Sequence, residues 1–263
     1  MMELSTLQNL LSILSCVELT VLIAISVGRL SFRRSMAPVF FTFALVSLLM
    51  SGLYWLAYDL LRPDTRMPFA ANEFGEIGGF LLLASALNAV FRGRFADARR
   101  EIVCAAVFAA ASTTLWIGWS GEWVEDVLVG LSFGYYLCVC VRSLKQSGAL
   151  SRLEWRALGV LALLLLLLQG MTFVLPEPWP SGADYGAYAV MFSVLVYGLI
   201  KLIHTLRRGR DAAAQFALVA AVWAWSVSTM YMSTDFFYLA AVLSYLCCTP
   251  LMLVALHREE ATA

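Results

Sequence analysis

Nine apolar runs, each long enough to cross a bilayer as a helix, occupy most of this sequence. A helix needs about 20 mostly apolar residues to span the hydrocarbon core. The apolar residues in each run are continuous and do not alternate with polar ones, which argues against strands. We therefore predict an all-α transmembrane bundle, one domain over residues 1–263, with spans near 7–30, 37–61, 71–91, 102–119, 123–144, 155–175, 185–206, 212–232 and 236–256.

The composition supports a membrane protein over a water-soluble one. Hydrophobic residues make up 61% of the chain and charged residues 14%, whereas soluble domains are about 45–50% apolar and about 25% charged. The formal net charge is zero, which gives no reason to expect nucleic acid as a partner. The first run has no basic segment before it and no small-residue cleavage site, so we predict a span that stays in the protein.

The basic residues predict the orientation in the membrane. All but two of the 18 Lys and Arg residues, Arg62 and Arg66, lie in or beside alternate loops or after the last span. The positive-inside rule places those basic loops in the cytoplasm. The N-terminus is then outside and the C-terminus cytoplasmic, which requires an odd number of spans. The expected location is the bacterial inner (cytoplasmic) membrane.

A tandem repeat of helical hairpins is one interpretation of the basic turns. They centre near Arg33, Asp97, Gly148 and Arg208, so that each unit would have the same orientation as the next. The other interpretation is ordinary threading of hairpins under the charge rule. The sequence leaves both open.

Motifs for catalysis or metal binding are absent from the sequence. His204 and His257 have no second His or Cys at ligand spacing, and the six cysteines form no Cys-x-x-Cys pair. Nucleophile and phosphate-loop motifs are also missing. These absences favour a protein that is not an enzyme, and we predict no catalytic residue, metal ion or cofactor.

Acidic and polar residues inside the spans are the candidate functional residues. Glu18 lies near the middle of the first span, whereas Glu73 and Glu76 share a face of the third near its outer end. Asp59 closes the second span, and Gln169 lies in the outer half of the sixth. Ionisable groups at membrane depth usually face the bundle interior or a water-filled cavity. These five residues could therefore form an outward-facing polar pocket for a cation or a basic ligand, together with Glu125 and Asp126 at the start of the fifth span and Thr172 in the sixth.

Hydrated helix ends are the alternative explanation for several of these acids. Asp59 and Glu73 lie at span ends, and Glu125 and Asp126 open the fifth span, where a helix N-terminus favours an acid. Glu18 and Glu76 lie deeper. We predict that at least one of these two faces an outward-open cavity.

Small residues mark sites where helices can approach closely. Gly75, Gly78 and Gly79 flank Glu76, and Gly130 with Gly134 forms a Gly-x-x-x-Gly motif in the fifth span. Such spacing predicts close helix packing.

Part of the chain resembles a group of bacterial membrane proteins. The relevant stretches are GEIGGFLLLASALNAVF at 75–91, VEDVLVGLSFGYYLCVCVRSL at 124–144 and LEWRALGVLALLL at 153–165. In hydropathy and a few residues they are similar to small polytopic proteins of acidobacteria and other soil bacteria, and to membrane-embedded sensor regions. The resemblance implies the topology and no activity.

Three functions are compatible with these observations. The first is a non-enzymatic module that senses or binds a small ligand, or a membrane subunit that serves a partner. The second is a small transporter or channel that uses intramembrane carboxylates. The third, and the least favoured, is a membrane enzyme acting on lipid. The expected surroundings are the lipid bilayer together with either a protein partner or a second copy of the chain.

Overall fold

The computed structural model describes residues 4–29, 35–61, 71–91, 98–120, 123–176, 179–207, 211–233 and 235–262. Nine α-helices and no strand lie in this part of the chain, and all nine are long and apolar enough to cross a membrane. The prediction of nine spans is confirmed. The helices are α1 Leu4–Gly28, α2 Ala37–Leu61, α3 Ala71–Val90, α4 Arg99–Ser120, α5 Trp123–Ser147, α6 Arg152–Val174, α7 Trp179–Arg207, α8 Ala212–Met232 and α9 Asp235–Thr262.

Several helix ends differ from the prediction by three residues or more, among them the end of α9, which lies at Thr262 and not near 256. Two of these differences have identifiable reasons. Helix α7 begins at Trp179, six residues before the predicted start, because proline is tolerated in the first turn of a helix and Pro180 therefore need not end one. Helix α6 begins at Arg152, since Ser151 and Glu154 form a capping box. The break between α8 and α9 occurs where it was predicted, with Ser233 in an extended conformation.

Helix α8 is the centre of the bundle. It packs against α5, α7 and α9, whereas α3 packs between α2 and α5. Helices α4 and α6 are the least buried. In the core, the rings of Phe80, Tyr136 and Trp223 meet with centroids 5.9–6.3 Å apart. The Tyr136 hydroxyl donates to the carbonyl of Ala220, which ties α5 to α8.

Glycines allow the closest helix contacts. A Cβ on Gly75 would lie 2.8 Å from the carbonyl oxygen of Ser47 on α2, and one on Gly130 would lie 2.4 Å from the Thr113 hydroxyl on α4. The predicted glycine-mediated packing thus joins α3 to α2 and α5 to α4 within one chain.

Charge separates the two ends of the bundle. Consecutive helices run in opposite directions, so the C-termini of α1, α3, α5, α7 and α9 share one end with the N-termini of the even-numbered helices. We call this the basic end, since Arg100, Lys145 and Lys201 lie there. We call the opposite end the acidic end, since Glu76 and Asp126 lie there.

Candidate ligand cavity at the acidic end

A cavity of about 660 Å³ lies within the half of the bundle nearer the acidic end. Its walls come from α1, α2, α3, α4, α5, α8 and α9. Four carboxylates are in the lining: Glu73 and Glu76 from the start of α3, and Glu125 and Asp126 from the start of α5. The described lining contains no Lys, Arg or His. Glu73, Glu125 and Asp126 lie in the first turns of their helices, where the partial positive charge of a helix N-terminus favours an acid. Glu76 lies about one turn further along α3.

The carboxylate of Glu76 is held by two neutral donors. The Ser51 hydroxyl donates to Oε1 at 3.4 Å, and the Tyr231 hydroxyl donates to Oε2. An ionised carboxylate has about four acceptor sites on its two oxygens. Two donors therefore hold Glu76 in place and leave acceptor capacity on the side of the cavity.

Trp116 connects this carboxylate to a second one. Its indole Nε1 donates to Asp126 Oδ1 at 2.6 Å, and its ring meets that of Tyr231 edge-on, with centroids 5.9 Å apart. One continuous wall of the cavity thus consists of side chains from four helices, which are Glu76 of α3, Tyr231 of α8, Trp116 of α4 and Asp126 of α5.

Two buried polar atoms in the lining have no hydrogen-bond partner. Asn72 is 5% exposed, and neither its Oδ1 nor the Ser112 Oγ has a partner among the described residues. Buried polar atoms are nearly always satisfied by protein or water. A water molecule or a ligand in the cavity would supply the missing partners.

Aromatic rings form much of the remaining lining, so the cavity is less polar than the predicted pocket. The aromatic lining residues are Trp55, Phe80, Phe108, Trp116, Phe133, Trp223, Tyr231, Tyr238 and Tyr245. Ring faces carry negative electrostatic potential and attract cations. The rings and the carboxylates therefore favour the same sign of ligand charge.

The predicted site residues do not all meet in this cavity. Glu73 and Glu76 line it, and Glu18 does not, although Ser15, one turn earlier on α1, does. Glu18 Oε1 is buried with no hydrogen-bond partner in the described part of the chain. Gln169 lies beyond the wall, where its Nε2 donates to the sulfur of Met232. The side chain of Asp59 lies outside the described residues.

The sequence indicated some of the lining and missed the rest. Glu125 and Asp126 were considered for the pocket as well as for hydrated helix ends, and both line the cavity. Tyr231 and Trp116 gave no signal, because aromatic residues are common near the ends of any span. Their role depends on contacts between helices far apart in the chain.

In the part of the chain that the structure describes, no group of three or more His, Cys, Asp and Glu side chains could hold a metal ion.

Comparison with protein families, curated proteins and solved structures gives no match to this chain. The nine described helices, which are long and apolar enough to cross a membrane, make the chain a multi-pass membrane protein. The resemblance to polytopic proteins of soil bacteria stays a prediction.

Proposed function

We propose that this protein is a non-enzymatic membrane module that binds a small organic cation, an amine or a quaternary ammonium, in the cavity at the acidic end. The observation that carries the proposal is the Glu76 carboxylate, which has two neutral donors and sits in an aromatic cavity whose described lining has no basic residue. A volume of about 660 Å³ falls within the range of about 300–1,000 Å³ usual for small-molecule sites.

Aromatic walls favour an organic cation over a hydrated metal ion. A quaternary ammonium is weakly hydrated and fits against ring faces, and such cages are the best-known use of cation–π attraction. The unsatisfied Oδ1 of Asn72 accepts hydrogen bonds and suits a ligand that also carries an N–H or O–H donor. In the inner membrane, such a module would serve as a sensor or as the ligand-binding subunit of a partner.

Transport of the cation is the second candidate function. Phe108 and Leu137 line both this cavity and a second one nearer the basic end, so a thin layer of side chains separates the two. The Phe108 ring also stacks on Trp225, with centroids 6.3 Å apart. However, Arg100, Arg152 and Arg156 line the second cavity and carry positive charge in excess of its acids. These charges repel a cation, which favours binding without passage.

Binding can be tested with choline and its neutral carbon isostere, in which a tert-butyl group replaces the trimethylammonium. Trp116 and Trp223 line the cavity, so the intrinsic fluorescence of the purified protein reports binding. We expect choline to bind at least about tenfold more tightly than the isostere, which corresponds to about 1.4 kcal/mol. Glu76→Gln should remove most of this preference because it removes the charge and retains the shape.

Asp184→Asn is the matched control, since Asp184 lies near the same end on α7 and does not line the cavity. Its affinity for choline should equal that of the wild type. Equal binding of choline and its isostere would contradict the proposal. If proteoliposomes took up labelled choline and Glu76→Gln abolished this uptake, the function would be transport of the cation and not binding alone.

A further inference from the structure

A second cavity, of about 810 Å³, lies toward the basic end between α4, α5, α6, α7 and α8. Its walls are mostly aliphatic, with Leu158, Leu163, Leu195 and Val222 among them. Leu163 is 59% exposed at the bundle surface and its neighbour Val160 is 66% exposed. The cavity is therefore a groove that reaches the surface of the least buried helix pair, where lipid tails surround the protein.

Basic side chains line the end of this groove. Lys145 pairs with Glu101 and Lys201 pairs with Glu154, each at 2.5 Å. Arg100, Arg152 and Arg156 are also in the lining and are exposed. Since both carboxylates have a lysine partner, the three arginines are in excess over the acids among the described residues of this region.

We propose that this groove binds one anionic phospholipid, with an acyl chain between α4 and α6 and the phosphate among Arg100, Arg152 and Arg156. An apolar groove with a cationic end matches an amphiphile that has an apolar tail and an anionic head. Basic pockets between transmembrane helices at the cytoplasmic side bind such headgroups. Arginine suits phosphate because its guanidinium can donate two parallel hydrogen bonds.

Gly159 provides space for the acyl chain. It lines the groove on α6, and a Cβ added there would meet no atom within 4 Å. Gly170, on the same helix, also has no atom within 4 Å of an added Cβ, and it does not line the groove. A large side chain at Gly159 should therefore fill the groove with no change of charge, and one at Gly170 should not.

The charge requirement can be tested by native mass spectrometry of the detergent-purified protein. The probes are phosphatidylglycerol and phosphatidylcholine with identical acyl chains. We expect the wild type to retain phosphatidylglycerol preferentially, and Arg100→Gln to weaken its binding about fivefold, the usual effect of one basic residue near an anionic lipid surface. Arg99→Gln is the matched control, because Arg99 is adjacent and exposed and is not in the lining.

The tail requirement is tested with Gly159→Phe and Gly170→Phe. We expect Gly159→Phe to lose bound phosphatidylglycerol although its arginines are intact, and Gly170→Phe to retain it. Three outcomes would overturn the proposal: equal retention of both lipids, equal losses in Arg99→Gln and Arg100→Gln, or unchanged binding in Gly159→Phe. If millimolar inorganic phosphate displaced bound phosphatidylglycerol as effectively as unlabelled phosphatidylglycerol does, the groove would be a site for free anions and not for a lipid.

Discussion

Glu76 and Glu154 each accept hydrogen bonds from two or more donors, but only Glu154 has a cation among them. Glu154 accepts from the backbone N–H of Ser151, the Tyr197 hydroxyl and the Lys201 ammonium. Glu76 accepts only from hydroxyls among the described residues. The charge of Glu154 is matched within the protein, and Glu154 is structural. Glu76 has no such cation partner among the described residues, which suits it to a cationic ligand.

Glu154→Ala should lower the stability of the protein by about 1–2 kcal/mol. It removes half of the capping box at the start of α6 and an ion pair to α7, and losses of about this size are typical of caps and partly exposed pairs. Thermal unfolding in detergent micelles measures the change. Glu154→Gln should lose less, because glutamine can still complete a capping box. Equal midpoints for Glu154→Ala and the wild type would contradict this.

At the residue scale, the sequence identifies carboxylates within the spans, such as Glu76, but not the neutral side chains that donate hydrogen bonds to them. Glu76 could be selected because an acid at membrane depth is costly. Its donor Tyr231 lies 155 residues further along the chain, and the two meet because α3 and α8 both pack against α5. Gln169 does not line the cavity, since depth in the membrane does not determine the direction in which a side chain points.

At the scale of the helices, the glycines on α3 determine how closely α2 approaches. Ser47 Oγ donates to the carbonyl of Gly75 at 2.9 Å. A Cβ on Gly75 would lie 2.8 Å from the Ser47 carbonyl oxygen and 3.0 Å from the Ser51 nitrogen. Both are backbone atoms, so no side-chain rotation can relieve the contact.

Gly75→Ala should therefore destabilise the protein by about 1–3 kcal/mol, the usual cost of overpacking. It should also weaken choline binding, because Glu76 is the next residue. Gly170→Ala is the control, since the added Cβ there meets nothing within 4 Å and alanine is the better helix former by about 0.5–1 kcal/mol. A thermal unfolding midpoint for Gly75→Ala at or above that of Gly170→Ala would contradict the expectation.

The helices themselves were predictable because each apolar run is long and nearly uninterrupted. Their neighbours were not, since a helix that is apolar all round gives no indication of which face meets protein and which meets lipid. Gly130 and Gly134 marked a close helix contact and did not identify the helix that makes it. The structure places Thr113 and Ala109 of α4 against them.

At the scale of the whole molecule, the two cavities have opposite charge. The cavity at the acidic end has carboxylates and no basic residue in its described lining, whereas the groove toward the basic end has three arginines in excess. Each proposed ligand therefore matches the end at which its cavity lies. This separation follows from the distribution of basic residues among alternate loops, which also predicts the orientation in the membrane.

The orientation can be tested with single cysteines in a background where the native cysteines are replaced. All six native cysteines are free, so no disulfide is lost. Arg99→Cys places a thiol at the basic end and Trp123→Cys places one at the acidic end, and both native residues are exposed. In intact cells, a membrane-impermeant maleimide should label Trp123→Cys, and it should label Arg99→Cys only after permeabilisation.

That result would place the carboxylate cavity toward the external medium and the arginine groove in the cytoplasmic leaflet, which is rich in anionic lipid. The opposite pattern would mean that the positive-inside rule fails for this chain, and that a cation reaches Glu76 from the cytoplasm. Labelling of both cysteines from one side would contradict the placement of α4 as a membrane-spanning helix with its two ends on opposite faces. The orientation thus determines the side of the membrane from which each proposed ligand comes, whereas the charge of each cavity determines whether that ligand is a cation or an anion.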